Sequence, residues 1–155
     1  MVAIGALLVV GAASYLLIRM LLADRAPVEH THRVLDDLSG LQSLLQDAER
    51  GQRGYVITGD DSYLRPYDQA VPQIGQTLSQ LRTLTADNPR QQDTLRALQP
   101  PVDDKLAELA ETIRLRRTGG FADAEQVVRT NRGALDTSRV EHLLADMRQE
   151  ELRLL

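Results

Sequence analysis

The densest run of side chains able to do chemistry lies between Asp47 and Tyr67, DAERGQRGYVITGDDSYLRPY. Gly51 and Gly54 stand three apart and so share one side of a helix. That permits close backbone approach, although each Gly costs about 1 kcal/mol of helix propensity. Arg50 and Arg53 flank them at the same spacing, and Tyr55 lies next to that face. Beyond a turn at Thr58 and Gly59, Tyr63 and Tyr67 are one helical turn apart and can fold back toward Tyr55. Two arginines and three tyrosines at a bundle end can hold an anion or a small polar ligand. They can equally form an Arg–carboxylate and tyrosine-hydroxyl network that fixes a hairpin. The structural account is preferred, because buried polar groups must be paired in either case.

Other candidates are weaker. His30 and His32 are two apart, which on a helix points them about 200° from each other, a poor arrangement for shared metal ligation. His142 stands alone. The acid pairs Asp36-Asp37, Asp60-Asp61, Asp103-Asp104 and Glu150-Glu151 are adjacent in sequence and diverge by about 100° on a helix, which suits solvated surface rather than a catalytic dyad. There is no phosphate-cradling Gly loop, no Gly-x-Ser-x-Gly elbow and no HExxH motif. The expectation is a chain with no catalytic, metal or cofactor site.

The elements that must position these residues are helices. Turn chemistry concentrates at three places. At Thr58-Gly59-Asp60-Asp61, Gly59 can end one helix in the left-handed conformation and Asp60 can cap the next. At Ala86-Asp87-Asn88-Pro89, Asn88 is a good N-cap, Pro89 suits the first helical position, and Gln91 falls at the capping-box position. At Thr118-Gly119-Gly120 a helix stops, with Arg116 and Arg117 favourably placed for the helix dipole. Between these stops apolar residues recur at spacings of three and four. One stripe joins Val34, Leu38, Leu41, Leu45, Ala48 and Tyr55, broken only by Gln52. A second joins Leu64, Tyr67, Val71, Ile74, Leu78 and Leu81. A third joins Leu95, Leu98, Val102, Leu106, Leu109 and Ile113, and a less regular fourth joins Phe121, Val128, Leu135, Leu143, Met147 and Leu154. Short connections between long helices imply an all-α, up-down-up-down four-helix bundle, with Pro66, Pro72, Pro100 and Pro101 expected to bend or break helices two and three.

Upstream, Met1 to Ile18 carries no charge, and those residues would make about 27 Å of helix. With Arg19 snorkelling, residues 1–23 read as a transmembrane anchor continuous or nearly continuous with helix one, ahead of the bundle at 28–155. Arg19, Arg25 and Arg33 all follow the span, so the positive-inside rule taken literally puts the bundle in the cytoplasm.

Composition agrees with a helical protein: 43% hydrophobic residues in 155, but one Phe, four Tyr and no Trp. A net charge of −4 with no basic block argues against a nucleic-acid partner. Absence of Cys excludes a disulfide framework and a thiolate site.

The run AERGQRGYVITGDDSYLRPY, followed by LRTLTADNPRQQDTLRAL and IRLRRTGG, resembles the third class of the CHASE family, the cyclase/histidine-kinase-associated sensory extracellular domains. The resemblance covers nearly all of His30 to Leu155. The family's pattern of a Gln-Arg-Gly-Tyr helix end, a Thr-Gly turn, then Tyr-Leu and Pro-Tyr falls here on Gln52, Arg53, Gly54, Tyr55, Thr58, Gly59, Tyr63, Leu64, Pro66 and Tyr67. Arg50 and Asp60 complete this motif region, read as a structural clasp or ligand region. The resemblance implies a helical sensor bundle on the periplasmic side of the inner membrane, held between two membrane helices. An extracytoplasmic bundle overrides the literal charge count. The output domain would be a histidine kinase, a cyclase or a chemotaxis-type module, so the chain is expected to be part of such a receptor. A homodimer and an undefined small-molecule or protein signal are expected as partners. The competing reading is an anchored structural or adaptor bundle that dimerises or docks to a receptor; a third is a helical carrier released by cleavage near Ala23.

Overall fold

The computed structural model describes residues 25–154, together with Gly11, Ser14 and Tyr15 upstream. The anchor expected at residues 1–23 lies, apart from those three positions, outside the described residues. Among the described residues no helix is long and apolar enough to cross a membrane.

Helix α1 spans Arg25–Thr58 and ends where expected, at Gly59 with φ +74°. The Gly59 N–H still bonds Tyr55 O at 2.7 Å, and Asp60 accepts the Ser62 N–H at 2.8 Å. Asp60 thereby caps a single 3-10 turn, Asp61–Leu64, before α2, Arg65–Leu84. Asn88 caps α3, Pro89–Gly119, by accepting the Gln91 N–H at 3.2 Å. The Gln91 side chain does not close a capping box: it is buried and donates to Met147 O and Glu151 Oε1 at 3.0 and 2.8 Å. Its amide NH2 is thus paired with the last helix, while its Oε1 is left buried without a hydrogen-bond partner.

The prolines leave helices two and three unbroken. Pro66 sits in the first turn of α2, where its missing N–H has no helical partner to lose. Pro72, Pro100 and Pro101 lie inside continuous helices. The carbonyls they orphan belong to Asp68, Arg96 and Ala97, all exposed residues, where water can replace the lost bond.

The fourth stretch departs from expectation. It is two helices, α4 at Phe121–Val128 and α5 at Arg132–Leu154, separated at Asn131, which adopts φ +59°. Asn tolerates this left-handed geometry, and the Thr130 hydroxyl bonds back to Val127 O at 2.6 Å. The break resets the helical phase, so the expected stripe fails. Phe121, Val128, Leu135 and Leu154 are exposed, Leu143 is half-buried and only Met147 is fully buried. The buried face of α5 is instead Gly133, Asp136, Val140, Leu144, Met147 and Glu151.

The chain runs up, down, up and down. Helices α1 and α2 form one tight hairpin and α3 with α5 another, joined through α1. His30 and Leu154 line the same surface depression, so the start of α1 and the end of α5 share one end, called proximal here. The apolar core is massed there, with Val34, Leu38, Leu41, Ile74, Leu81, Leu98, Leu144 and Met147 in one cluster. Toward the distal end it thins to Ala48, Ala70 and Leu109, then to Tyr55, Leu64 and Ile113. Buried polar groups sit in the thin region between, with Gln52, Lys105, Glu108 and Thr112, and also at the proximal end, with Thr31, Thr85, Gln91 and Glu151.

Candidate functional site

The motif region at the distal end comes together only in part. Gly51 and Gly54 do lie against the returning chain: a Cβ on Gly51 would stand 2.9 Å from the Tyr67 backbone nitrogen, and one on Gly54 2.5 Å from the Tyr63 ring. Tyr55 and Leu64 are buried with Ile113, Tyr67 packs beside them, and Tyr63 is half-exposed. Thr58 bonds back to Gly54 O at 2.8 Å. The expected arginines stay outside this group. Arg50 pairs with Asp47 at 2.9 Å and Arg53 with Glu49 at 2.8 Å, both exposed. Their places are taken by the end of α3. The Arg117 guanidinium lies 5.6 Å from the Tyr55 ring centroid and bonds Asp61 at 3.1 Å; Arg116 Nε donates to Val56 O at 2.8 Å across Gly59. Arg116, Arg117, Asp60 and Asp61 in this group each have a protein partner, and Tyr55 is buried, while Tyr63 stays half-exposed.

A second constellation lies one to two turns nearer the core. Between α1, α3 and the α4–α5 break opens a cleft of about 350 Å³. Val56, Ile57, Leu109, Phe121 and Val128 make its apolar walls. Its polar floor is formed by Lys105, Glu108 and Glu49. Lys105 is the only lysine of the sequence and is buried. Its ammonium stands 3.5 Å from Glu49 and 3.6 Å from Glu108, and donates to Gly133 O at 3.3 Å. Glu108 is nine-tenths buried, and its Oε2 accepts no hydrogen bond. Desolvation raises its pKa, opposed by the neighbouring Lys105 charge. Gly133 makes the arrangement possible: a Cβ there would fall 2.6 Å from Glu108 Oε2 and 3.0 Å from Lys105 Nζ. Above the floor, buried Gln52 donates to Thr112 Oγ1 at 2.6 Å.

Comparison with known families decides what kind of domain this is, since residues 24–155 match the CHASE3 domain. The chain belongs to the CHASE3 family. Its fold is similar to that of the sensor domain of histidine kinase HK9 from Rhodopseudomonas palustris, with a TM-score of 0.74 and 27% identity. That likeness covers 79% of this chain and 96% of the other. Comparison with curated protein sequences gave no match.

CHASE3 domains are sensor domains without catalytic activity of their own, and this one is an all-helical bundle of that kind. Within this CHASE3 domain the motif residues are legible from sequence, whereas Glu49, Lys105, Glu108 and Gly133 are not singled out by it. The available signal is that Lys105 and Glu108 occur between Val102 and Leu109 on the buried stripe of α3. A charge on an apolar stripe is commonly a long stem reaching to water. Here neighbouring helices close over it.

Proposed function

We propose that the chain is the extracytoplasmic sensory input module of a bacterial transmembrane receptor, with a histidine kinase as its output. The observation that carries this reading is the likeness to a histidine kinase sensor domain over 96% of that domain's length. In this proposal residues 1–23 form the first membrane helix, the bundle stands on the periplasmic side of the inner membrane, and two copies signal as a symmetric homodimer.

The working mechanism uses the uneven build of the bundle. The proximal half is a continuous apolar core that moves as a body. The distal hairpin is tied to α3 by Arg116 and Arg117, and we assign the motif region this clasping role. Between them lies the cleft, beside the joint at Asn131 where α4 gives way to α5. A signal that prefers one setting of that joint shifts α5 against α1, and the displacement reaches the proximal end, where both helices meet the membrane.

The chain contains no cysteine, so Gln42→Cys with Arg148→Cys forms a unique pair. Those side chains bond across α1 and α5 at 2.8 Å. Joining the two thiols with a short bis-maleimide crosslinker, each thiol adding across one maleimide double bond, is expected to freeze kinase output of the intact receptor at one level. Output that still responds normally to stimulus would sink the mechanism. Fusion of alkaline phosphatase or green fluorescent protein after Leu155 tests placement. Active phosphatase is expected; fluorescence alone would put the bundle in the cytoplasm and bring the adaptor reading forward.

A further inference from the structure

We infer that the cleft between α1, α3 and the α4–α5 joint binds a neutral, compact, largely apolar molecule carrying one hydroxyl, which donates its hydrogen bond to Gln52 Oε1. Binding stands on the chemistry of the cleft alone; its use as a stimulus rests on the sensory reading above.

Gln52 lines the cleft and is 5% exposed. The group behind it fixes which way its amide points. The Thr112 hydroxyl donates to Leu109 O at 2.8 Å, so toward Gln52 it can only accept, and Gln52 Nε2 donates to it at 2.6 Å. Oε1 is thereby turned away from Thr112, a residue outside the lining of the cleft. Among the described residues no group donates to Oε1. Unlike Gln91 Oε1 and Glu108 Oε2, which are sealed by protein, it keeps accessible surface. The cleft is the opening that Gln52 lines, so a bare acceptor faces it from a residue otherwise packed in the bundle. A ligand hydroxyl supplies the missing donor out of reach of bulk water.

The walls call for an apolar body behind that hydroxyl. Ile57, Phe121 and Val128 are large, apolar and 65%, 48% and 49% exposed, and all three stand at this one opening, with Val56 and Leu109 buried beneath. Such convergence of exposed apolar side chains on a concave surface marks a binding site. The volume, about 350 Å³, is at the small end for ligand pockets and suits a compact molecule. The charges around the cleft are answered within the protein. Glu49 meets Arg53 at 2.8 Å and Lys105 at 3.5 Å, Glu108 meets Lys105 at 3.6 Å, and Glu125 meets Arg129 at 3.7 Å. A charged ligand would give up its hydration and find no unmatched counter-charge, which favours a neutral one. Because Gln52 lies on α1 and Phe121 and Val128 lie on α4, the ligand would bridge α1 to the element beside the joint.

The test uses 2-phenylethanol and its methyl ether, which keeps the apolar body and the ether oxygen but has no proton to donate. Methyl-labelled full chain in lipid nanodiscs is dialysed against set free concentrations of each, and NMR shifts of the Val56, Ile57, Leu109 and Val128 methyls are followed. Saturable shifts are expected with the alcohol, and binding about fivefold weaker with the ether. Gln52→Leu should bring alcohol and ether to the same Kd. Phe121→Ala touches no hydrogen bond and should weaken both by about threefold or more while the alcohol stays preferred. Circular dichroism checks that both variants keep native helicity, and the comparison of alcohol with ether on the wild type needs neither. Phenylacetate and 2-phenylethylamine should each bind more weakly than the alcohol. The site is overturned by the absence of saturable shifts up to about 10 mM free alcohol, or by an ether or a charged analogue that binds as tightly. An alcohol preference that survives Gln52→Leu, or affinities unmoved by Phe121→Ala, would overturn it as well. No readout here needs an output domain, so failure of this site is distinguishable from failure of the crosslinking experiment.

Discussion

The backbone nitrogen of Tyr67 stands 2.9 Å from the position that a Cβ on Gly51 would occupy, and Tyr63 O stands 3.0 Å from it. The first turn of α2 therefore rests directly on the α1 backbone, and the missing side chain sets the distance between them. Since the obstructing atoms are main chain, they cannot rotate away. Gly51→Ala should lower stability by about 1–2 kcal/mol, the overpacking cost outweighing the gain in helix propensity. Gly40 is also inside α1, with nothing within 4 Å of its added Cβ, so Gly40→Ala should raise stability by about 0.5–1 kcal/mol. Paired urea denaturations of the two variants check both signs.

The Gln52–Thr112 bond joins α1 to α3 between buried side chains at 2.6 Å. Thr112→Val leaves the buried Gln52 amide without this acceptor and should cost about 1–3 kcal/mol, whereas Gln52→Leu leaves Thr112 still donating to Leu109 O at 2.8 Å and should cost about 1 kcal/mol or less through this bond. The double variant should cost less than the two singles added, with a coupling of about 0.5 kcal/mol or more in a double-mutant cycle. Strict additivity would show that the bond contributes nothing.

Stability should also depend on pH through Glu108. Its folded-state pKa is raised by burial, so between its unfolded and folded values the native state holds more protons than the unfolded state. Its contribution therefore declines as pH rises from below about 4.5 through the raised value, the reverse of a salt-bridged carboxylate. Glu108→Gln should flatten that part of the stability–pH curve. Asp60 behaves oppositely. Its pKa is lowered by the Ser62 backbone N–H it accepts, so its cap is fully present above the ordinary carboxylate range and is lost as pH falls through the lowered value. Thermal unfolding from pH 3 to pH 8, on wild type and on Glu108→Gln and Asp60→Ala, separates the two.

The joint between α4 and α5 makes a conformational prediction. Asn131 holds φ +59°, which Gly adopts freely and a β-branched residue resists. Asn131→Gly should leave stability within about 0.5 kcal/mol, whereas Asn131→Val should lose about 1–2 kcal/mol. If both variants match wild type in thermal melts, the left-handed joint is not a fixed feature of the fold.

Three of the turns were legible because each depends on residues adjacent in sequence: Gly59 with Asp60, Asn88 with Pro89, and Gly119 with Gly120. The first three apolar stripes were legible for the same reason, since a regular helix of unbroken phase shows its buried face in its spacing. The joint at Thr130-Asn131 carries a weaker version of the same turn chemistry. It went unread because Phe121, Val128 and Leu135 continue an apparent seven-residue rhythm straight through it. The motif residues were recognisable, but their partners were not. Arg50 and Arg53 share the helix side of Gly51 and Gly54 in the sequence, yet find their carboxylates on α1 itself. The Arg that meets Tyr55 comes from α3.

By itself, then, the sequence determined what is local: helical class, the order and boundaries of most elements, which face of the first three helices is apolar, and the family motif. Tertiary structure alone decided which charges are buried. Lys105 and Glu108 have the same spacing whether they reach water or not. Only the approach of Gly133 on α5, with no side chain to hold the helices apart, closes the bundle over them. Local spacing sets the direction in which a side chain leaves its own helix. The distance to the next helix, and so the solvent it meets, is set by residues far away in the chain.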